Sequence, residues 1–367
     1  MSDIGKHANL TPATSQLPVE WYFDQQRFEL EKKLIFEAGP GYVGHSLMAP
    51  ELHDYRSQEW HDHGRLISHQ SDGYYEMSNV CRHRQAIMLE GSGNAKHIVC
   101  PIHRWTYNGE GELLGAPHFL AKPCLNLPKQ KLQNWHGLLF NGPRSVADDL
   151  AGLSVAKDVD FSAYRLDHVE QHECNYNWKT FIEVYLEDYH VEPFHPGLNG
   201  QVNCDDLTWQ FGDWYSVQRV GRRALTMSSS PAYGRLQEAL QAYRNEPPEF
   251  GAIWLTYYPN IMIEWYPHAL IVSSLIPRAV DKTTHVVEFY YPEEVALFEP
   301  ELIKAQQVAY RETAREDDEI GERMDRGRRA LLAQGRSEVG PYQSPMEDGM
   351  QHFHEFYRKV MAANTVT

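Results

Sequence analysis

The sequence has no apolar run approaching the roughly 18–20 residues that span a bilayer, so no membrane segment is expected. Its opening stretch, MSDIGKHANLTPATSQLPVEW, lacks the basic-then-apolar order of a secretory signal, which makes a cytoplasmic protein the expectation. Positive charge is short as well. With 34 Lys and Arg against 50 Asp and Glu the formal charge is −16, which excludes nucleic acid as a natural partner. Cysteine is sparse and odd in number, five in 367 residues, so a disulfide framework is excluded. No repeat or low-complexity tract is present, no G-x-G-x-x-G nucleotide fingerprint is followed by a reductase region, and no bound nucleotide is expected. What is there is a chain of globular composition, 42% hydrophobic, long enough for two domains. It carries 19 histidines, and two of the five cysteines stand beside one, which points to metal.

The texture changes twice along the chain. Residues 1–38 form an N-terminal segment expected to pack on the larger domain that residues 144–367 make, with a helix from Pro18 to Phe36 burying Phe28, Leu30 and Ile35. From 39 to 143 come short alternating runs (GYVGH, LISHQ, YYEMSNV, KHIVCPI, HGLLFNG) punctuated by Gly, Asn and Asp, which read as a small all-β domain. Residues 144–367 mix strands such as AIWLTYY, NIMIEWYP and THVVEFYYP with a long charged helical run from LIKAQQ to LLAQG and a terminal helix DGMQHFHEFYRKVMA. The fold class is α+β.

The first metal-type pattern is C-R-H at Cys81–His83 and C-P-I-H at Cys100–His103, with 16 residues between the halves. Two thiolates and two imidazoles also suit zinc. In a Rieske [2Fe–2S] centre, however, one iron takes both Cys and the other both His, so paired loops with one of each type are what the cluster needs. Around it Arg82, Arg84, Lys96 and Arg104 make a local positive patch, read either as solvated loop-tip charge or as a surface that steers an acidic electron donor. Cys124, Cys174 and Cys204 have no partner at motif spacing and are read as buried small hydrophobes.

The second pattern lies in NWKTFIEVYLEDYHVEPFHPGL. His190 and His195 are five apart, about 140° out of register on a straight helix, and share a metal only if the helix breaks between them. Pro193 and Pro196 are the expected breakers. Two His and one carboxylate make the facial triad of non-haem Fe(II) oxygenases. Asp317, in RETAREDDEIGERMDRG, is favoured as the third ligand, with its neighbour Asp318 as the alternative.

Together, NVCRHRQA, IVCPIHRWTYNGEGELLGAP and NWK-x3-E-x3-E-x2-H-x4-H resemble the catalytic (alpha) subunits of Rieske non-haem iron oxygenases of the ring-hydroxylating type. The resemblance implies a Rieske domain beside a larger helix-grip catalytic domain, a twisted antiparallel sheet covered by helices. It implies a [2Fe–2S] cluster, mononuclear Fe(II), and a homotrimer in which Glu187 bridges His190 of one subunit to a cluster histidine, His103, of the next. Electrons would come from NAD(P)H through a separate flavin reductase and, in some systems, a ferredoxin. Hydroxylation or dihydroxylation of an aromatic compound is the broad family expectation. Glu rather than Asp at 187 resembles the choline, glycine betaine and carnitine branch, making hydroxylation or demethylation of a quaternary ammonium compound the alternative. An electron carrier without oxygenase activity is the alternative of another class, disfavoured by the intact His190 and His195. Glu183, one turn before Glu187, is read as its hydrogen-bond partner or as a polar interface residue. Candidate pocket residues are Val184, Trp209, Phe211, Ile253, Leu255 and Trp265, and Trp209, Trp214, Tyr257 and Trp265 are a candidate cage for a cation.

Overall fold

A computed structural model describes residues 15–223, 228, 230–243 and 250–362. The chain divides into two compact units: residues 37–148, and a larger unit in which the described part of the N-terminal segment joins the chain from 149 onward. None of the described helices is long and apolar enough to cross a membrane.

The small unit is all-antiparallel. A five-stranded sheet runs Ser92–Asn94, Asp54–Ser57, Arg65–Gln70, Gly73–Ser78, Lys129–Lys131 in spatial order, with two three-stranded sheets beside it. The strands are three to six residues long, as the Gly- and Asn-rich punctuation dictates. Leu66, Met77, Ile98, Trp105, Tyr107 and Leu113 form its core.

In the large unit, seven antiparallel strands make one sheet: β1 (Tyr164–Cys174), β2 (Val202–Phe211), β3 (Tyr215–Arg222), β4 (Ala252–Tyr257), β5 (Ile261–Tyr266), β6 (Ala269–Ala279) and β7 (Lys282–Pro292). The spatial order is β1-β7-β6-β5-β4-β3-β2, a meander from β2 to β7 closed by β1. The chain between β1 and β2 therefore travels from one edge of the sheet to the other, about 29 Å across six inter-strand gaps. It does so through helix α1 (Trp178–Tyr185) and the one-turn helix α2 (Val191–Phe194). Helices α3 (Pro231–Tyr243), α4 (Pro300–Ala333) and α5 (Asp348–Ala362) complete the layer. Leu302, Ala305 and Ala309 of α4 pack on Ile271, Phe289 and Tyr291 of the sheet.

The N-terminal segment is less regular than its pattern suggested: a 3₁₀ turn (Val19–Tyr22), an α-helix (Gln25–Glu31) and a π turn (Lys32–Phe36). Phe28 and Ile35 are buried, but Leu30 is 45% exposed. Leu30 lies in the regular α-helix two residues after Phe28, about 200° around it, so the two cannot share a buried face.

The start of α1 is pinned by buried polar groups. Asn177 caps it through the backbone N–H of Lys179, as short polar side chains do at helix N-termini. Lys179 and Glu31, both buried, pair at 2.7 Å, and Trp178 Nε1 and Tyr357 Oη also donate to Glu31. Asp325 of α4 accepts from Asn177 N and Thr180 Oγ1. One buried network thus ties the N-terminal segment, α1, α4 and α5 together.

Candidate metal centres and substrate pocket

Two tight loops carry the Cys/His pairs, and their backbones repeat each other. In the first, Gln85 N donates to Cys81 O (3.1 Å) and Cys81 N to Ala86 O (2.9 Å). In the second, Arg104 N donates to Cys100 O (3.1 Å) and Cys100 N to Trp105 O (2.8 Å). Gln85 and Arg104 both turn through positive φ, 54° and 60°, at equivalent points. Two identical scaffolds therefore present Cys-x-His and Cys-x-x-His toward each other. Cys81 and Cys100 are buried, and their thiols lie close enough to interact. The rings of His83 and His103 are 4.7 Å apart. His83 Nδ1 is buried with no hydrogen-bond partner among the described residues, a lone pair the fold reserves for something else. Two sulfurs inside, two imidazoles outside and an orphaned ring nitrogen fit a Rieske cluster.

Trp105 stacks on His83 at 5.0 Å, and Phe119 packs edge-on against both rings. Tyr107 Oη lies 3.8 Å from Cys81 Sγ and accepts from Arg82 N at 3.2 Å. Arg82, Arg84, Lys96 and Arg104 are all exposed, and Ile102 (57%) and Phe119 (47%) give the same surface an apolar component. Cys174 and Cys204 are buried as read, but Cys124 is exposed. It lies in the stretch 116–128, which contains no strand or helix.

In the large unit, His190, His195 and Asp317 meet. His190 Nε2 and His195 Nε2 are 2.9 Å apart, Asp317 Oδ1 is 2.9 Å from His195 Nε2 and 3.4 Å from His190 Nε2. Three ligands on one octahedral face, each about 2.1 Å from a metal, would stand about 3 Å from one another. The donor set fits a facial triad. Asp318 points elsewhere, accepting from Tyr176 Oη at 2.8 Å. Gly321, one turn on, lets α4 approach that ring, since a Cβ there would lie 2.8 Å from it.

The local chain path differs from the expected proline-broken helix. Helix α1 ends at Tyr185, and the ligands flank α2, with His190 as its N-cap and His195 as its C-cap. Pro193 lies inside α2 instead of ending it. A proline in a first helical turn sacrifices only an N–H that has no helical acceptor.

Each histidine ligand is held from behind. Glu187 Oε1 is 2.5 Å from His190 Nδ1, and Glu316 Oε2 is 2.7 Å from His195 Nδ1. Burial opposes charge on His190, but Asp317 and Glu187 outweigh it and lift its pKa to about 10. Burial likewise works to raise Asp317, while the two histidines hold it at about 2. Glu316 escaped the sequence reading because an acid in an acidic helical run carries no signal of direction. Glu183 takes neither role read for it. It is buried among Arg328, His354 and Tyr22, because α1 stops before Glu187 and the two acids share no helix face.

The triad lies in the wall of a pocket between the sheet and helices α1–α4. Of the six candidate lining residues only Val184 reaches it. The lining strand residues are Trp254, Glu264, Tyr266, Ser273 and His285. Ile253, Leu255 and Trp265 sit one position along, and in a strand that turns the side chain to the opposite face. The expected Trp209–Trp214–Tyr257–Trp265 cage does not form at the pocket. Trp209 and Trp214 pack in the cluster around α5, and Tyr257 Oη donates to Asp149 at 2.5 Å. Tyr185, Tyr233, Tyr266, Tyr310 and Trp254 line the pocket instead.

Comparison with known proteins agrees with these two centres. Residues 50–128 match the Rieske [2Fe-2S] domain and residues 161–363 the ring hydroxylating alpha subunit (catalytic domain). The chain belongs to the Rieske non-haem iron oxygenases, as a catalytic alpha subunit, and carries the domains for a [2Fe–2S] cluster and a mononuclear iron. It is 60% identical to the putrescine 2-hydroxylase of Ralstonia nicotianae, over 98% of this chain and 100% of that one. It is 56% identical to the putrescine 2-hydroxylase of Bordetella bronchiseptica, over 98% of this chain and 88% of the relative. In fold it is similar to a quaternary ammonium Rieske monooxygenase, with a TM-score of 0.75 at 22% identity, covering 95% of this chain and 96% of that one.

Proposed function

We propose that the protein hydroxylates a small aliphatic diamine, with putrescine the first candidate and its C2 the position attacked. The observation that carries this is the charge of the pocket. Its described lining contains Glu187, Asp188, Glu264 and Asp317 and no Lys or Arg. An aromatic acid, carnitine or glycine betaine would bring a carboxylate with no cation to meet it. An aromatic hydrocarbon would leave the buried Glu264 carboxylate without compensation. A diamine, cationic at both ends and apolar between, complements acids and tyrosine faces alike. Relatives of 60% and 56% identity named putrescine 2-hydroxylase support the same substrate, and an aromatic one draws no support from either source.

His190, His195 and Asp317 would hold the iron, and Cys81, His83, Cys100 and His103 the cluster. When bound, the iron supplies the site where O₂ is reduced beside the substrate. One oxygen atom enters the C–H bond, and the other leaves as water with two electrons and two protons. The electrons come from NAD(P)H through a separate reductase. Glu187, already on His190, would connect it to His103 of the partner subunit in a homotrimer. Glu316 fixes the ring of His195.

The test is coupled NADH and O₂ consumption, with a partner reductase, across panels of diamines, quaternary amines and aromatic acids. Hydroxyputrescine formed in step with O₂ uptake is the expected result. Coupled turnover of an aromatic acid or of choline, with none of putrescine, would overturn the proposal. An electron carrier without oxygenase activity would show no substrate-dependent uptake at all.

A further inference from the structure

Glu264 is out of place in a sheet. It lies mid-strand on β5, 6% exposed, opposite Trp254 on β4 and Ile271 on β6. Among the described residues its carboxylate receives one side-chain hydrogen bond, from Tyr266 Oη at 2.8 Å. That hydroxyl is oriented in turn by Trp254 Nε1, at 3.2 Å. A carboxylate offers about four acceptor sites, and none of the described cations pairs with this one. Burial accordingly raises its pKa to about 7. Close by, Tyr185 Oη is also buried and has no hydrogen-bond partner among the described residues. A fold does not keep such groups without return, since each costs free energy until something satisfies it. Both line the pocket that holds the triad, Glu264 on the sheet wall and the iron ligands on the helical wall.

Resting on the diamine reading, we propose that Glu264 is the specificity-determining residue that receives one terminal ammonium of the substrate, with Tyr185 Oη as a second acceptor. A primary ammonium has three N–H donors, so it can serve both the Glu264 carboxylate and the hydroxyl of Tyr185. A quaternary ammonium has none, and would leave both groups unsatisfied. The Trp254–Tyr266 relay holds the carboxylate toward the cavity, and the apolar methylenes then lie between the sheet and His190, His195 and Asp317. Glu264 therefore selects primary amines within a family that also handles quaternary ones.

Equilibrium binding to the iron- and cluster-loaded protein tests this, with putrescine and the uncharged isostere 1,4-butanediol as probes. Glu264→Gln keeps the shape and removes the charge. The affinity ratio of putrescine to 1,4-butanediol should fall about 10- to 100-fold, as loss of a charge-assisted hydrogen bond implies. Glu264→Asp should restore part of it. Tyr266→Phe, which leaves the carboxylate in place, should weaken putrescine less than Glu264→Gln, and serves if that variant loses its cluster absorption. An unchanged ratio in a well-folded Glu264→Gln protein would overturn the anchor while the diamine reading stands. No putrescine binding by the unaltered protein would overturn both.

Discussion

Glu187 Oε1 lies 2.5 Å from His190 Nδ1, so a carboxylate fixes the ring whose other nitrogen faces Asp317 and His195. The same carboxylate accepts from His190 N at 3.1 Å, and it stays partly exposed.

If Glu187 carries electrons between subunits, Glu187→Gln should retain iron and cluster while turnover falls. Partners that support a ligand typically matter by about 10- to 100-fold. Metal analysis and steady-state O₂ uptake on one preparation decide it. Full turnover would remove Glu187 from the electron path.

Adjacent acids should separate cleanly. Asp317→Asn is expected to lose mononuclear iron and keep the visible absorption of the cluster. Asp318→Asn should keep both metals, because it lies outside the triad and its amide oxygen still accepts from Tyr176 Oη. Iron quantitation reads the outcome, and iron retained in Asp317→Asn would reassign the third ligand.

Lys179→Met leaves Glu31 charged and buried, so it should destabilise the large unit by about 3–5 kcal/mol, as breaking one partner of a buried pair does. Pairing it with Glu31→Gln should recover part of that loss. Urea unfolding of the two single variants and the double variant measures the coupling.

Acid should weaken the fold well above the carboxylate range. Burial drives His45 and His352 from the usual histidine value down to about 3. Between about pH 6.5 and 3 the unfolded chain binds protons that the native state refuses. Stability from these groups is therefore complete above about pH 6.5 and drains as pH falls, by up to about 1.4 kcal/mol per unit for each. Thermal unfolding from pH 8 to 5 should show this slope, and His352→Phe should reduce it.

The cluster loops were legible because a Cys/His pair at two-residue and three-residue spacing is chemically distinctive. Their backbone equivalence was not, since the spacings differ and the match lies in hydrogen bonds at Gln85 and Arg104. His190 and His195 were legible as a pair, but the helix between them was not, because a proline tolerated in a first turn looks the same as one that breaks a helix. The pocket was misread by one residue along β4 and β5. In strands buried on both faces no polar alternation marks the side that faces a cavity. Glu264 was the one clue, an acid in NIMIEWYP, and its meaning depends on Tyr266 and Trp254 around it.

The sheet closes by pairing β1 with β7, matching Gln171 with Val286 and Cys174 with Thr283. Everything that makes the iron site lies between those strands or after them, with Asp317 later still. On the ribosome, the histidines emerge long before the strand that completes their platform and the helix that brings their carboxylate. Such distant pairings form late, because the intervening loop must be closed before any contact rewards it. Metal acquisition thus belongs at the end of maturation, and a nascent chain cut short before residue 317 would present two histidines with nothing to complete them.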